Sequence, residues 1–241
     1  MPYENQYIQK CKTHPHIILD KNEYTKHKWK WWEYFWNNNP LVIEIGSGMG
    51  NYFSYMVWNN PDKNYIALEL RYKRLYTTAR KSLDMVKKHT SQSPLAPSAA
   101  RRKLGMQKIA KENINFVILQ CYGQWISEIC NTSEVSEIYI YFPDPFCNKP
   151  KQLKHRLFTE DFLKQVENVL VTGWKLHFKT DHKWYFIDTF KLIKESEWLE
   201  IIFVSQDYKN SEMYNHDAIT EFEALFRGKQ EDFYYLIVSK K

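Results

Sequence analysis

One decapeptide constrains this chain more than any other stretch: Leu41 to Gly50, LVIEIGSGMG. Leu41, Val42 and Ile43 form a short apolar run ending at glycines, the pattern of a buried strand in a parallel sheet. Glu44 and Ile45 lead into a GxGxG turn built from Gly46, Gly48 and Gly50. Glycine there permits positive φ and close approach of the backbone to a ligand. Asn51 to Asn59 is expected as a helix, with Tyr52, Phe53, Tyr55 and Met56 as its apolar surface. Strand, glycine turn and helix make the first unit of a nucleotide-type α/β fold, whose ligand lies beyond the strand's carboxyl end. Gly-rich turns also close ordinary hairpins, so the rest of the chain has to decide.

Further runs follow in βα alternation. Strands are expected at Asn64–Leu70, Asn115–Leu119, Glu137–Phe142 and Trp174–Thr180. Helices are expected at Arg71–Lys88, Phe158–Leu170 and Lys183–Lys194, the second capped by Thr159. Glu200–Ser205 and Phe233–Ser239 read as two late strands without a helical crossover between them, suited to an antiparallel pair at the sheet edge. The expected fold is therefore α/β and Rossmann-like: a mostly parallel, doubly wound sheet with an antiparallel C-terminal pair. Residues 1–39 form an N-terminal extension before a single domain over 40–241. Within the extension, Thr25–Trp36 looks helical. Its four tryptophans, Trp29, Trp31, Trp32 and Trp36, either stack on bases or pack against the domain, and packing is expected. Residues 89–105, rich in Ser, Pro, Ala and Arg, read as a flexible basic insertion.

At 241 residues the chain can bury a sizeable core without staples. Its four cysteines, Cys11, Cys121, Cys130 and Cys147, form no CxxC pair. No metal site is expected, and reduced thiols in a cytoplasmic protein are the simplest reading. The first ten residues lack a signal-peptide pattern, and no apolar run approaches the ~18 residues of a membrane span. A cytoplasmic protein without a membrane partner, monomeric or homodimeric, is expected. The net charge of +6 is unevenly spread. From Arg71 to Lys111 twelve Lys or Arg face only Asp84, a local +11 that leaves the remainder at −5. A second cluster free of acids is Lys149, Lys151, Lys154 and Arg156. One such cluster is an ordinary solvated face; two, each after a strand end, point to a polyanion near the ligand crevice.

Four strand ends carry polar groups that an open α/β sheet brings to one crevice: the glycine turn, Glu69, Asp144 and Asp181. Glu69 lies 19 residues after Gly50, the spacing at which an acid meets ribose hydroxyls. Asp144 sits between Pro143 and Pro145, which fix the local backbone. The ordered set EIGSGMG, ALEL, YFPDPF with its basic run, HFKTD and TEFE resembles the tRNA (guanine-N7-)-methyltransferases over roughly residues 40 to 238. The resemblance implies a class I methyltransferase fold, S-adenosyl-L-methionine as cofactor and tRNA as partner. It implies transfer to N7 of a guanine in the tRNA variable loop, position 46. By the same resemblance Glu44, Gly46, Gly48, Gly50, Glu69, Cys121 and Asp144 stand at cofactor-binding positions, and Asp144 is also the catalytic aspartate. Lys149, Lys151, Lys154, Arg156, Asp181, Thr220, Glu221, Phe222 and Glu223 stand on the substrate side.

Two places depart from the family's pattern. Cys121-Tyr122 stands where the family carries an acid after its third strand; either Gln120 or a backbone group replaces it, or affinity for the adenosyl end of the cofactor is weaker. In the basic run Lys149 is the best match to the substrate lysine, while a strict count from Asp144 lands on Asn148. Two other readings are open on sequence alone. A nicotinamide-dependent oxidoreductase would share the glycine turn and Glu69, but expects GxGxxG and leaves FPDP and TxxE unexplained. A tRNA-binding protein with impaired catalysis would follow from Cys121.

Overall fold

The computed structural model describes residues 5–90, 114–147, 149–214, 219–229 and 233–241. The 89–105 insertion lies almost wholly outside them, as does Asn148. The helices are α1 (Gln6–Lys12), α2 (Lys21–Thr25), α3 (Trp31–Phe35), α4 (Asn51–Asn59), α5 (Tyr72–Thr90), α6 (Ile126–Ile129), α7 (Glu160–Val169), α8 (Lys183–Lys194) and α9 (Glu221–Lys229). The strands are β1 (Ile17–Ile18), β2 (Leu41–Ile45), β3 (Asn64–Glu69), β4 (Phe116–Gln120), β5 (Val135–Tyr141), β6 (Leu170–Thr180), β7 (Leu199–Ser205) and β8 (Tyr234–Lys240).

They form one sheet in the order β1-β4-β3-β2-β5-β6-β8-β7. β1 to β6 run parallel, while β8 is antiparallel to both β6 and β7. The order reverses between β2 and β5, so the crevice at their carboxyl ends is the switch point where α/β sheets bind ligands. All five β2 residues are buried, as expected for a central strand covered on both faces. One core layer holds Ile43, Ile66, Leu119, Ile138, Phe162, Val166 and Phe178 against α7 and α8. The opposite layer is richer in aromatics: Phe53, Tyr65, Phe116, Tyr139, Tyr141, Phe233 and Tyr235. Thr159 caps α7 by accepting the Phe162 N–H at 3.2 Å, and α8 spans its expected range.

Three features differ from expectation. Residues 25–36 do not form one helix. Trp29 adopts φ 71°, which no helix interior tolerates, and splits the segment into α2 and α3. Trp31 is buried and donates its indole N–H to the Ile129 carbonyl at 3.1 Å. Trp29, Trp32 and Trp36 are exposed, so packing holds for one tryptophan of the four. The late strands pair as expected, yet α9 lies between them in sequence and β8 inserts between β6 and β7. Residues 5–39 are woven into the fold: β1 extends the sheet beside β4, and Tyr24, Trp31 and Phe35 enter the core.

Candidate active site

The site is assembled by register. Ile45 pairs with Leu68 on one side and Ile140 on the other, so β2, β3 and β5 end level. Glu69 closes β3 and Asp144 follows β5 by three residues, with β2 between them. Strands with one strand between them are separated by about 10 Å, so the ends of β3 and β5 flank the glycine turn at that distance from each other.

The turn has open sides. Gly46 and Gly48 take φ 80° and 58°, and a Cβ on either would meet nothing within 4 Å. Their neighbours have left room at the crevice for another molecule. Gly50 is glycine for a different reason: at φ 79° its Cβ would fall 2.6 to 2.8 Å from Thr78, where α5 crosses the turn. Glu69 ties the turn to β3. Its Oε2 accepts the Gly48 N–H at 3.2 Å, while Oε1 accepts the N–H groups of Leu70 and Arg71 at 2.8 and 3.0 Å. Glu44 is buried, and its Oε2 and the Ser47 hydroxyl lack a hydrogen-bond partner among the described residues. Burial, with the Glu221 and Glu69 carboxylates as smaller causes, pushes the Glu44 carboxyl up to about 8. A buried acid held neutral, an orphaned hydroxyl and two open glycines fit a polar, cation-bearing ligand such as S-adenosyl-L-methionine.

Asp144 is exposed on a tightly bent loop. Phe142 and Phe146 on either side of it take φ 52° and 44°, a left-handed conformation that costs a non-glycine residue. The loop is fastened at both ends. The Phe142 N–H donates to the Lys179 carbonyl at 2.8 Å. Arg156 donates from Nε to the Pro145 carbonyl at 2.7 Å and pairs with Asp188 at 2.7 Å. Arg156 is buried and its guanidinium lies over Tyr185, so its place is behind the Asp144 loop rather than among free surface cations. Lys149, Lys151 and Lys154 are exposed on the 3₁₀ segment after that loop. Asp181 is exposed directly past β6.

The TEFE motif is a capping box. The Glu223 N–H donates to Thr220 Oγ1 at 3.1 Å, and the Thr220 N–H donates to Glu223 Oε2 at 2.8 Å. Both side chains are buried, whereas Phe222 is 44% exposed and Glu221 half-buried. At the end of β4, Gln120 donates its side-chain amide to the Leu70 carbonyl at 2.9 Å. The Cys121 thiol is turned into the core, where burial raises it to about 11, and Tyr122 beside it is exposed. Sequence reasoning missed Lys179, whose ammonium meets Glu223 at 2.7 Å with both side chains almost fully buried. The alternation of HFKTD was the available signal: it places Lys179 on the same face as His177, which is also buried.

A cavity of about 520 Å³ opens at the start of α5, lined by Asn5, Met49, Arg71, Tyr72, Lys73 and Arg74. Among the described residues no group of His, Cys, Asp or Glu is arranged to hold a metal, and no helix is long and apolar enough to cross a membrane.

Comparison with known proteins bears on the family and the fold. Residues 38–236 match a family model described as "Putative methyltransferase". The tRNA (guanine-N(7)-)-methyltransferase of Lysinibacillus sphaericus is 32% identical over 92% of this chain and 89% of its own. That of Bacillus licheniformis is 32% identical over 97% and 93%. A bifunctional glycosyltransferase/methyltransferase of Fusobacterium nucleatum is 34% identical over 98% of this chain, which spans a third of that protein's length. The solved 16S rRNA methyltransferase KamB shares the fold with a TM-score of 0.55 at 14% identity, covering 88% of this chain and 92% of its own. Neither a nicotinamide-dependent oxidoreductase nor a non-catalytic binding protein is favoured by these matches. The chain belongs to the tRNA (guanine-N7-)-methyltransferase family and is a methyltransferase whose methyl donor is S-adenosyl-L-methionine.

Proposed function

We propose that this protein methylates N7 of a variable-loop guanine, position 46, in tRNA in the cytoplasm. One observation carries the reading. Asp144 is exposed on the loop that follows β5, a strand at the switch point, and the exposed cations Lys149, Lys151 and Lys154 come next in the chain, an order that supports the reading. On this reading a donor pocket and an RNA-binding wall lie side by side.

The chemistry asks little of the protein's proton-transfer groups. S-adenosyl-L-methionine supplies an electrophilic methyl group on a sulfonium. Guanine N7 has a lone pair on the base edge, so no proton leaves before attack and no general base is required. Glu44, Glu69 and the backbone of Gly46 and Gly48 would hold the donor, with Gly50 fixing the turn's packing and Gln120, Cys121 and Tyr122 bordering its far end. Asp144, held by the Lys179 carbonyl and Arg156 contacts, faces the positive charge that grows on the purine and can accept from the guanine amino edge. Rate then comes from alignment and fixed charge. Asp181 and Phe222 of the TEFE helix would border the acceptor base, with Thr220 and Glu223 holding the start of that helix in place. Lys149, Lys151, Lys154 and the basic face of α5 would grip phosphates, giving a steep salt dependence. Arg156 serves the loop behind them.

The test is methylation of an unmodified tRNA pool with labelled donor, followed by mapping of the altered nucleotide. The reading requires the label at a variable-loop guanine. Label at another position, or tRNA binding without transfer, would remove it.

A further inference from the structure

The TEFE motif spans two different surroundings. Thr220 and Glu223 are buried in their capping box, but Glu221 points to the glycine turn. Its Oε1 accepts the N–H of Asn51, the first residue of α4, at 3.1 Å, and lies 3.7 Å from the Lys81 ammonium. Glu69 holds the Gly48 N–H of the same turn. Glu44 stands two residues ahead of Gly46, buried, with Oε2 unpartnered. We propose that Glu221 is a cofactor-side residue, the third carboxylate around the donor pocket, and that Lys179 is the positioning residue that keeps it there.

The donor's charge favours this arrangement. Its sulfonium and ammonium outnumber its one carboxylate, so the Glu69 and Glu221 carboxylates attract it, and Glu44 joins them once the donor's charge draws off its proton. The buried Glu44 oxygen and the Ser47 hydroxyl supply unsatisfied polar groups at the same place. The anchoring is equally specific. Lys179 Nζ pairs with Glu223 and lies 4.4 to 5.0 Å from the ring centres of Tyr141, Tyr208 and Tyr235. Phe222 stacks on Phe142 at 5.7 Å between ring centres. With its first turn pinned on both sides, α9 holds Glu221 at the start of α4. The competing reading makes Glu221 a plug: a carboxylate on the positive end of α4 that the donor's own carboxylate must displace.

This inference rests on the donor assignment and not on which nucleotide is methylated. Calorimetric titration of the full chain with S-adenosyl-L-methionine, and separately with unmodified tRNA, tests it. Glu221→Gln should weaken donor binding by about ten-fold at low salt, with tRNA affinity within two-fold of wild type. Unchanged or tighter donor binding, or a loss confined to tRNA, overturns the proposal. Tighter binding identifies the plug. Lys179→Met should weaken donor binding in the parent protein but add little in the Glu221→Gln background. Equal losses in both backgrounds would make Lys179 merely structural and refute its positioning role. If Lys179→Met does not fold, Thr220→Val loosens the same turn and is read in the same way. A wild-type chain that binds no donor would overturn the donor assignment itself, so the two failures are separable.

Discussion

Glu44→Gln isolates the one ionisable group that the fold holds most clearly against its nature. The Glu44 carboxyl is pushed from 4.5 up to about 8, burial being the largest cause. Its folded value is raised, so the stability it contributes is complete below pH 4.5 and is lost as pH climbs through 8. The full gap is worth about 5 kcal/mol, and the portion between pH 5 and pH 8 about 3 to 4 kcal/mol. Glutamine keeps the shape and cannot ionise. At pH 5 the two proteins should be of similar stability, the variant carrying at most the ~1–3 kcal/mol penalty of an unpaired buried amide. By pH 8 the variant should have gained about 3 to 4 kcal/mol on wild type, or about 6 to 16 °C in melting temperature for a chain of this size. Burial lowers His177 to about 3, but that group is common to both proteins and cancels from the difference. Melting curves at half-unit steps from pH 5 to 9 provide the measurement. A difference that stays flat with pH would show that Glu44 is ionised in the free protein, and the reasoning would fail. With donor present, its positive charge should return Glu44 to the carboxylate. Proton release on binding should then be seen between pH 6 and 8 in wild type and be absent from the variant.

Three further outcomes are expected. Asp144→Ala should lower single-turnover transfer by about 10²–10³-fold while tRNA affinity stays within a few-fold; unchanged turnover would take Asp144 out of the mechanism. Gly50→Ala places a methyl group under 3 Å from the Thr78 backbone and side chain at a positive φ. It should cost about 2 kcal/mol or more in urea unfolding, whereas the unobstructed Gly46→Ala should cost only its backbone strain. Lys179→Met leaves Glu223 buried without its cation and should destabilise by about 3 to 5 kcal/mol. Adding Glu223→Gln should restore part of that loss, and a double variant no more stable than the single would count against the pair as the cause.

The local code was readable where one face or one turn dictates the outcome. LVIEIGSGMG specifies a buried strand, a turn that needs positive φ and a helix, because few other backbones accommodate that order of apolar residues and glycines. The Thr159 cap and the apolar stripe of α7 are likewise local. Thr25–Trp36 misled because composition favours a helix there. What breaks it is the left-handed Trp29 and the buried indole of Trp31, the latter tied to Ile129 of α6. Helix α9 was missed because TEFE reads as a motif as readily as a cap, and Leu225 on it is exposed rather than part of an apolar stripe.

By itself, then, the chain's order of residues determined the strand-turn-helix units, the family and the identity of the polar groups at the strand ends. Tertiary structure decided which of those groups are buried and what they touch. Arg156 and Glu223 look in sequence like surface charges, yet one is buried behind the Asp144 loop and the other against Lys179. Glu221, one residue past a buried threonine, reaches the glycine turn 170 positions away. Charge and spacing along a chain fix what a side chain can do. Whether it meets solvent, a ligand or a counter-ion depends on contacts between segments far apart in sequence, which no local pattern encodes.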